Sequence, residues 1–135
     1  MVAWKGNVML RLIGGTLAGI IAWIVIVTLL NLGLRHGWHE YAAVEKAMAF
    51  TLPMMAARLS ISALSSLASG LLAAVIDRGG WAALASGAIL LLLFLPVHYS
   101  IWDKFPIWYH LTFLISLPLL SLVGGSLRGA RPVTA

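Results

Sequence analysis

The stretch Leu12–Leu34, LIGGTLAGIIAWIVIVTLLNLGL, runs for 23 residues without an Asp, Glu, Lys or Arg. About 20 apolar helical residues, rising about 1.5 Å each, cross the roughly 30 Å of a bilayer's hydrocarbon. This stretch therefore reads as a membrane span. The same test, applied outward, finds three more. Leu59–Ile76 gives 18 uncharged residues between Arg58 and Asp77, diluted by serines. Gly79–Trp102 is uncharged apart from His98, and Phe105–Leu127 gives 23 residues that contain Pro106 and Pro118. The predicted fold is all-α: one integral domain over residues 1–135, a polytopic bundle of four transmembrane helices near residues 9–34, 52–77, 81–99 and 106–127.

Composition agrees. The chain is 61% hydrophobic and 10% charged, with mean hydropathy +1.00, whereas soluble domains are about 45–50% apolar and about 25% charged. Nine Lys and Arg against four Asp and Glu give a net charge of +5, but the basic residues are dispersed. Nucleic-acid binding needs a basic patch or stripe, so it is not expected. Cysteine is absent, which excludes disulfides, thiolate metal sites and cysteine nucleophiles. The first apolar run is too long for a signal-peptide core, and no small-residue cleavage site precedes a polar chain. The expected location is a membrane crossed several times, the cytoplasmic membrane if the source is bacterial.

The connections set the topology. Asp77-Arg78-Gly79-Gly80 reads as a tight turn that makes the second and third spans an antiparallel hairpin. The first link is longer. Within residues 38–50 an interfacial helix would put Tyr41, Val44 and Met48 on one face; alternatively the second span extends backward and bends at Pro53. Placing both termini inside puts Lys5, Arg11, Arg78, Arg128 and Arg131 on the cytoplasmic side and Arg35, Lys46 and Lys104 outside. Aromatic belts fit this, with Trp38, Tyr41, Tyr99, Trp102, Trp108 and Tyr109 at one interface and Trp4 and Trp81 at the other.

That topology gathers His36, His39, Glu40, Glu45, His98, Asp103 and His110 at one membrane face. Imidazoles and carboxylates suit transition metals, so His36, His39, Glu40 and Asp103 are metal candidates. His98 and His110, from different spans, are candidates for a shared cofactor such as a b-type haem. The bland reading is that amphipathic side chains rest at a headgroup interface without binding anything.

Arg58 is the sharper feature. At about 100° per residue, Arg58, Ser62, Ser65 and Ser69 share one face of the second span, opposite Leu64, Leu67, Leu71 and Val75. Small residues allow close helix approach in membranes, so this stripe should face other helices. An intramembrane arginine costs about 2.5–3.5 kcal/mol on insertion scales and needs a partner or a function. Its options are snorkelling to headgroups, pairing with Glu40, Glu45 or Asp103, or touching a ligand. Gly15 and Gly19 form a G-x-x-x-G packing motif on the first span, and Asn31 lies there on a polar face with Thr28 and Arg35. Pro118 should kink the fourth span, with Ser116 and Ser121 available to the freed carbonyls.

No Asp or Glu lies deep in a span, which argues against a proton-coupled exporter, and no nucleophile elbow, P-loop or dinucleotide motif is present. The expected function is therefore that of a non-catalytic subunit or accessory factor of a larger membrane complex, or a homo-oligomer. The alternatives are a metal- or haem-binding membrane protein, and a small oligomeric channel or transporter with Arg58 and the serines along its path.

Overall fold

The computed structural model describes residues 2–128, with side chains from residue 6 onward. Lys5 and Trp4 therefore lie outside the described side chains, and Arg131 outside the described residues. Five helices follow in order: α1 (Val2–Gly37), α2 (His39–Val44), α3 (Leu52–Asp77), α4 (Trp81–Ser100) and α5 (Ile107–Ser126), with one 3-10 turn at Trp102–Lys104 before α5. No strand occurs among the described residues. Helices α1, α3, α4 and α5 are each long and apolar enough to cross a membrane.

Two boundaries differ from the sequence reading, and the bend weighed at Pro53 is absent. Helix α1 passes through Gly33 to Gly37 and stops where Trp38 becomes extended, at φ −128°. The first link is helical only over His39–Val44; Met48 takes φ +54°, a left-handed geometry that bulky residues seldom adopt. The predicted shared face of Tyr41, Val44 and Met48 is therefore lost, and Phe50 is brought against Tyr41 instead, with ring centroids 5.2 Å apart. Pro53 sits in the first turn of α3 and bends nothing, since a proline there removes only an N–H that would have no intrahelical partner.

The α3–α4 turn is as tight as expected. Arg78 (φ +67°) and Gly80 (φ +86°) both enter the left-handed region, which glycine adopts without steric cost. Asp77 Oδ2 accepts the Ala82 N–H at 3.0 Å, satisfying a donor at the start of α4 and placing negative charge at its positive end. Arg128 donates from Nη1 to the Ala74 carbonyl at 2.8 Å, closing the end of α3.

Helix α3 packs against all three other long helices, with the ring order α1, α3, α5, α4. Its buried residues past Met54 are all small: Ser62, Ser65, Ser66, Ser69, Gly70, Ala73 and Ala74. Leu64, Leu71 and Val75 lie on its exposed side, as the periodicity predicts, whereas Leu67 is only partly exposed and its backbone meets α5 at Gly124. Lipid tails are as apolar as leucine, so close van der Waals packing and interhelical hydrogen bonds must hold such helices together. The glycines show how close the approach is. A Cβ on Gly15 would lie 2.8 Å from the Ala73 carbonyl, and one on Gly19 would lie 3.1 Å from the Ser69 carbonyl. Ser69 uses that proximity, donating to the Gly19 carbonyl at 2.7 Å. Between α3 and α5 the contact is reciprocal: a Cβ on Gly70 would strike the Ser121 backbone, and one on Gly124 the Leu67 backbone.

Above this small-residue zone the core is aromatic. Trp23, Leu90, Phe113 and Leu117 form one buried cluster, and the Trp23 indole donates to Ser66 Oγ at 3.0 Å. Pro118 lies inside α5, but the serines do not act as expected. Ser116 donates to the Phe113 carbonyl at 2.7 Å, and the buried Ser121 hydroxyl has no partner.

Gly70→Ala and Gly124→Ala should each lower the thermal midpoint in detergent, by about 1–3 kcal/mol of overpacking. Gly33→Ala, where a Cβ meets nothing within 4 Å, should leave it unchanged or raise it by up to about 1 kcal/mol of helix propensity. Equal melting for all three variants would contradict backbone-to-backbone packing of α3 on α5.

Candidate functional site

The chemistry collects at the end of the bundle that carries the α1–α3 and α4–α5 links. Helix α3 presents Arg58 there, one turn before Ser62 on the same face. Its guanidinium donates from Nη1 to the Tyr41 hydroxyl at 2.7 Å and from Nε to the Tyr109 hydroxyl at 3.2 Å. It also lies over the Phe50 ring, 4.7 Å from the centroid, a cation–π distance. Tyr41 passes the interaction on, donating to Asn31 Oδ1 at 2.9 Å. One charged group thus joins α3 to α5, to α2 and, through Tyr41, to α1.

This corrects the expected carboxylate partner. Glu40 and Asp103 are exposed, and Glu45 belongs to Arg35, which grips both its oxygens at 2.6 and 2.7 Å. The structure also corrects two members of the aromatic belt. Tyr41 and Tyr109 are fully or almost fully buried, whereas Tyr99 is 84% exposed. Their rings belong to a stacked series, Tyr41 on Phe50, Phe50 on Phe105 and Phe105 on Tyr109, which ties the two links together. Nothing in the spacing of these aromatics signals that series, because it crosses between links 50 residues apart in the chain.

His98 and His110 do meet, and both are buried. Their Nδ1 atoms are 2.7 Å apart, and His110 Nε2 lies 3.0 Å from the Trp102 carbonyl. The carbonyl can only accept, so Nε2 carries the proton on His110. Nδ1 of a neutral His110 then accepts from Nδ1–H of His98. Two imidazoles on a tetrahedral zinc, with bonds of about 2.0–2.1 Å, hold their nitrogens about 3.3 Å apart. The observed contact is a hydrogen bond that ties α4 to α5 and to the link between them. His36 and His39 are exposed, and among the described residues no three His, Cys, Asp or Glu side chains converge as a metal-binding group.

Beside Arg58 lies a cleft of about 280 Å³ lined by residues of α1, α3, α4 and α5. Thr28, Asn31 and Arg35 line one wall, Arg58 and Ser62 the back, and Trp23, Phe94 and Phe113 its apolar part. The polar face read on α1 therefore faces the same space as Arg58 and Ser62, the first two members of the stripe read on α3, while Ser65 and Ser69 lie outside its lining. Ser62 is 1% exposed and its hydroxyl has no hydrogen-bond partner. Gly15 and Gly19 lie away from this space, in the small-residue zone. Ser65 is bonded within α3 and Ser69 to α1.

The chain matches no protein-family model, no curated protein and no solved structure.

The Arg35 hydrogen bond holds the Glu45 carboxyl below its ordinary value of 4.5. A depressed folded pKa stabilises the fold above the unfolded value, and that contribution is lost as pH falls through the folded pKa. Glu45→Gln should therefore melt below wild type by up to about 1 kcal/mol near neutrality, as for an exposed pair. The gap should close as the solution is acidified below pH 4.5. A gap independent of pH would contradict the ion pair.

Proposed function

We propose that this chain is a multi-pass integral membrane protein with both termini on the cytoplasmic side, acting as a non-catalytic subunit or accessory factor of a larger membrane assembly. The observation that carries the non-catalytic reading is how the reactive groups are used. Arg58 is bound to two tyrosines, His98 to His110, and His110 to a backbone carbonyl. A catalytic base or nucleophile has to keep a lone pair or a proton directed at substrate. Arg58 and His110 direct theirs at neighbouring helices and links, and His98 directs its Nδ1–H at His110, which makes them joints of a scaffold.

Helix α1 supports the subunit reading. It buries a single stripe, Gly15, Gly19 and Trp23 with neighbouring Thr16, and exposes Ile13, Leu17, Ile21, Ile24 and Leu29. It stands at a corner of the bundle, with most of its circumference available to lipid or to another membrane protein. Orientation follows the charges: Arg11, Arg78 and Arg128 lie at the end with the α3–α4 turn, while Arg35 at the opposite end is paired with Glu45.

Reporter fusions at residue 101 and at the C-terminus should report opposite faces, the second cytoplasmic. In native membranes, a photo-crosslinker at Ile21 or Leu29 should give one discrete adduct with a different polypeptide. A chain that yields only lipid or self adducts and migrates as its own monomer or homo-oligomer in the mildest detergents would overturn the subunit role.

A further inference from the structure

The cleft beside Arg58 has a polarity gradient that the tyrosine clamp does not exhaust. A guanidinium carries five N–H donors in a rigid fork, and Arg58 commits one from Nε and one from Nη1 to tyrosines. Arg35 lines the same cleft. Its partner Glu45 is also within electrostatic reach of Arg58. Glu45 is held by Arg35 through both oxygens and Arg58 is bound only by tyrosine hydroxyls, which leaves a net positive charge facing a space inside the bundle. Arginine forks match phosphate oxygens in geometry and charge.

The rest of the cleft describes the rest of the ligand. Ser62 lies one turn deeper on α3, about 6 Å along the axis, and offers a buried hydroxyl without a partner. Beyond it the wall is apolar, formed by Trp23, Val27, Phe94 and Phe113. Along α3 the order is phosphate-binding cation, hydroxyl donor, then hydrocarbon surface. A glycerophospholipid presents the complementary order: phosphate, ester carbonyl, acyl chain. A volume of about 280 Å³ holds a headgroup and the top of a chain, while the remainder can follow the exposed edge of α1 at Thr28 and Leu32.

We infer that this cleft binds the phosphate-bearing head of an anionic glycerophospholipid. Arg58 and Arg35 receive the phosphate, Ser62 donates to an ester carbonyl, and an acyl chain lies along Val27 and Leu32. The inference rests on the membrane placement in the proposed function and not on the subunit role, so it is tested on the chain alone.

The full chain, purified and delipidated in a non-ionic detergent, is titrated with phosphatidylglycerol, phosphatidylcholine or inorganic phosphate while its thermal midpoint is followed. Phosphatidylglycerol should raise the midpoint saturably, half-saturating at about tenfold lower concentration than phosphatidylcholine, whose choline cation is repelled by the guanidiniums. Inorganic phosphate, which lacks the chain, should have little effect. Arg58→Lys keeps the charge but loses the fork and should weaken the response about tenfold. Arg35→Gln, at a more exposed position, supplies the same comparison should Arg58→Lys fail to fold. Equal response to the two lipids, an equal response to inorganic phosphate, or unchanged half-saturation in the folded variants would overturn the inference. A chain that stays dispersed in water without detergent would instead overturn the membrane placement.

Discussion

A guanidinium in a low-dielectric helix bundle must have its charge and its donors answered, and Arg58 constrains the rest of the structure through that requirement. Three structural units have to come to it. Tyr41 arrives on α2, Tyr109 on α5 and Phe50 from the link before α3. Because Tyr41 also holds Asn31, the register of α1 is fixed by the same group. Neutral phenols answer an arginine differently from a carboxylate. They satisfy two of its donors without cancelling its charge, so the site stays cationic while it joins the helices. Scaffold and binding surface can then reside in one residue.

The other end of the bundle relies on a different device. There α3 is held by the absence of side chains: glycine, alanine and serine bring backbones close enough for a hydroxyl to reach a neighbouring helix's carbonyl. Interhelical hydrogen bonds of this kind average only about 0.6 kcal/mol in membranes, so many close contacts must act together. Helix α3 combines both devices, with Arg58 near its start and the small residues through its middle and end. The cleft lies between these zones, where residues of all four long helices line it and aromatic side chains replace the small ones.

The spans were legible in the sequence because charge is costly in hydrocarbon; the charge-free gap at Leu59–Ile76 marks α3, whose expected bounds of 52–77 agree with Leu52–Asp77, and α4 and α5 fall within a residue of expectation. The serine stripe was legible too, since 3.6-residue periodicity fixes which side chains share a face. Partners were not. Tyr41 and Tyr109 are amphipathic in the manner of interfacial residues, and nothing in their spacing signals that both turn inward to Arg58. Gly70 and Gly124 carry no local signal of one another, because spacing within a helix says nothing about which helix lies opposite. The proximity of His98 and His110 followed from topology, but their bond to each other depends on the Trp102 carbonyl, a backbone atom that no side-chain pattern reveals.

The most direct test is a double-mutant cycle in the purified chain, with Arg58→Ala and Tyr41→Phe made singly and together, and stability read from reversible unfolding in detergent. The tyrosine clamp predicts a coupling of about 1–3 kcal/mol, the scale of a buried hydrogen bond to a charged group. A parallel cycle of Arg58→Ala with Glu40→Gln should be additive within about 0.5 kcal/mol. Additivity of Arg58 with Tyr41, together with strong coupling to Glu40, would show that a carboxylate holds Arg58 and would contradict the clamp.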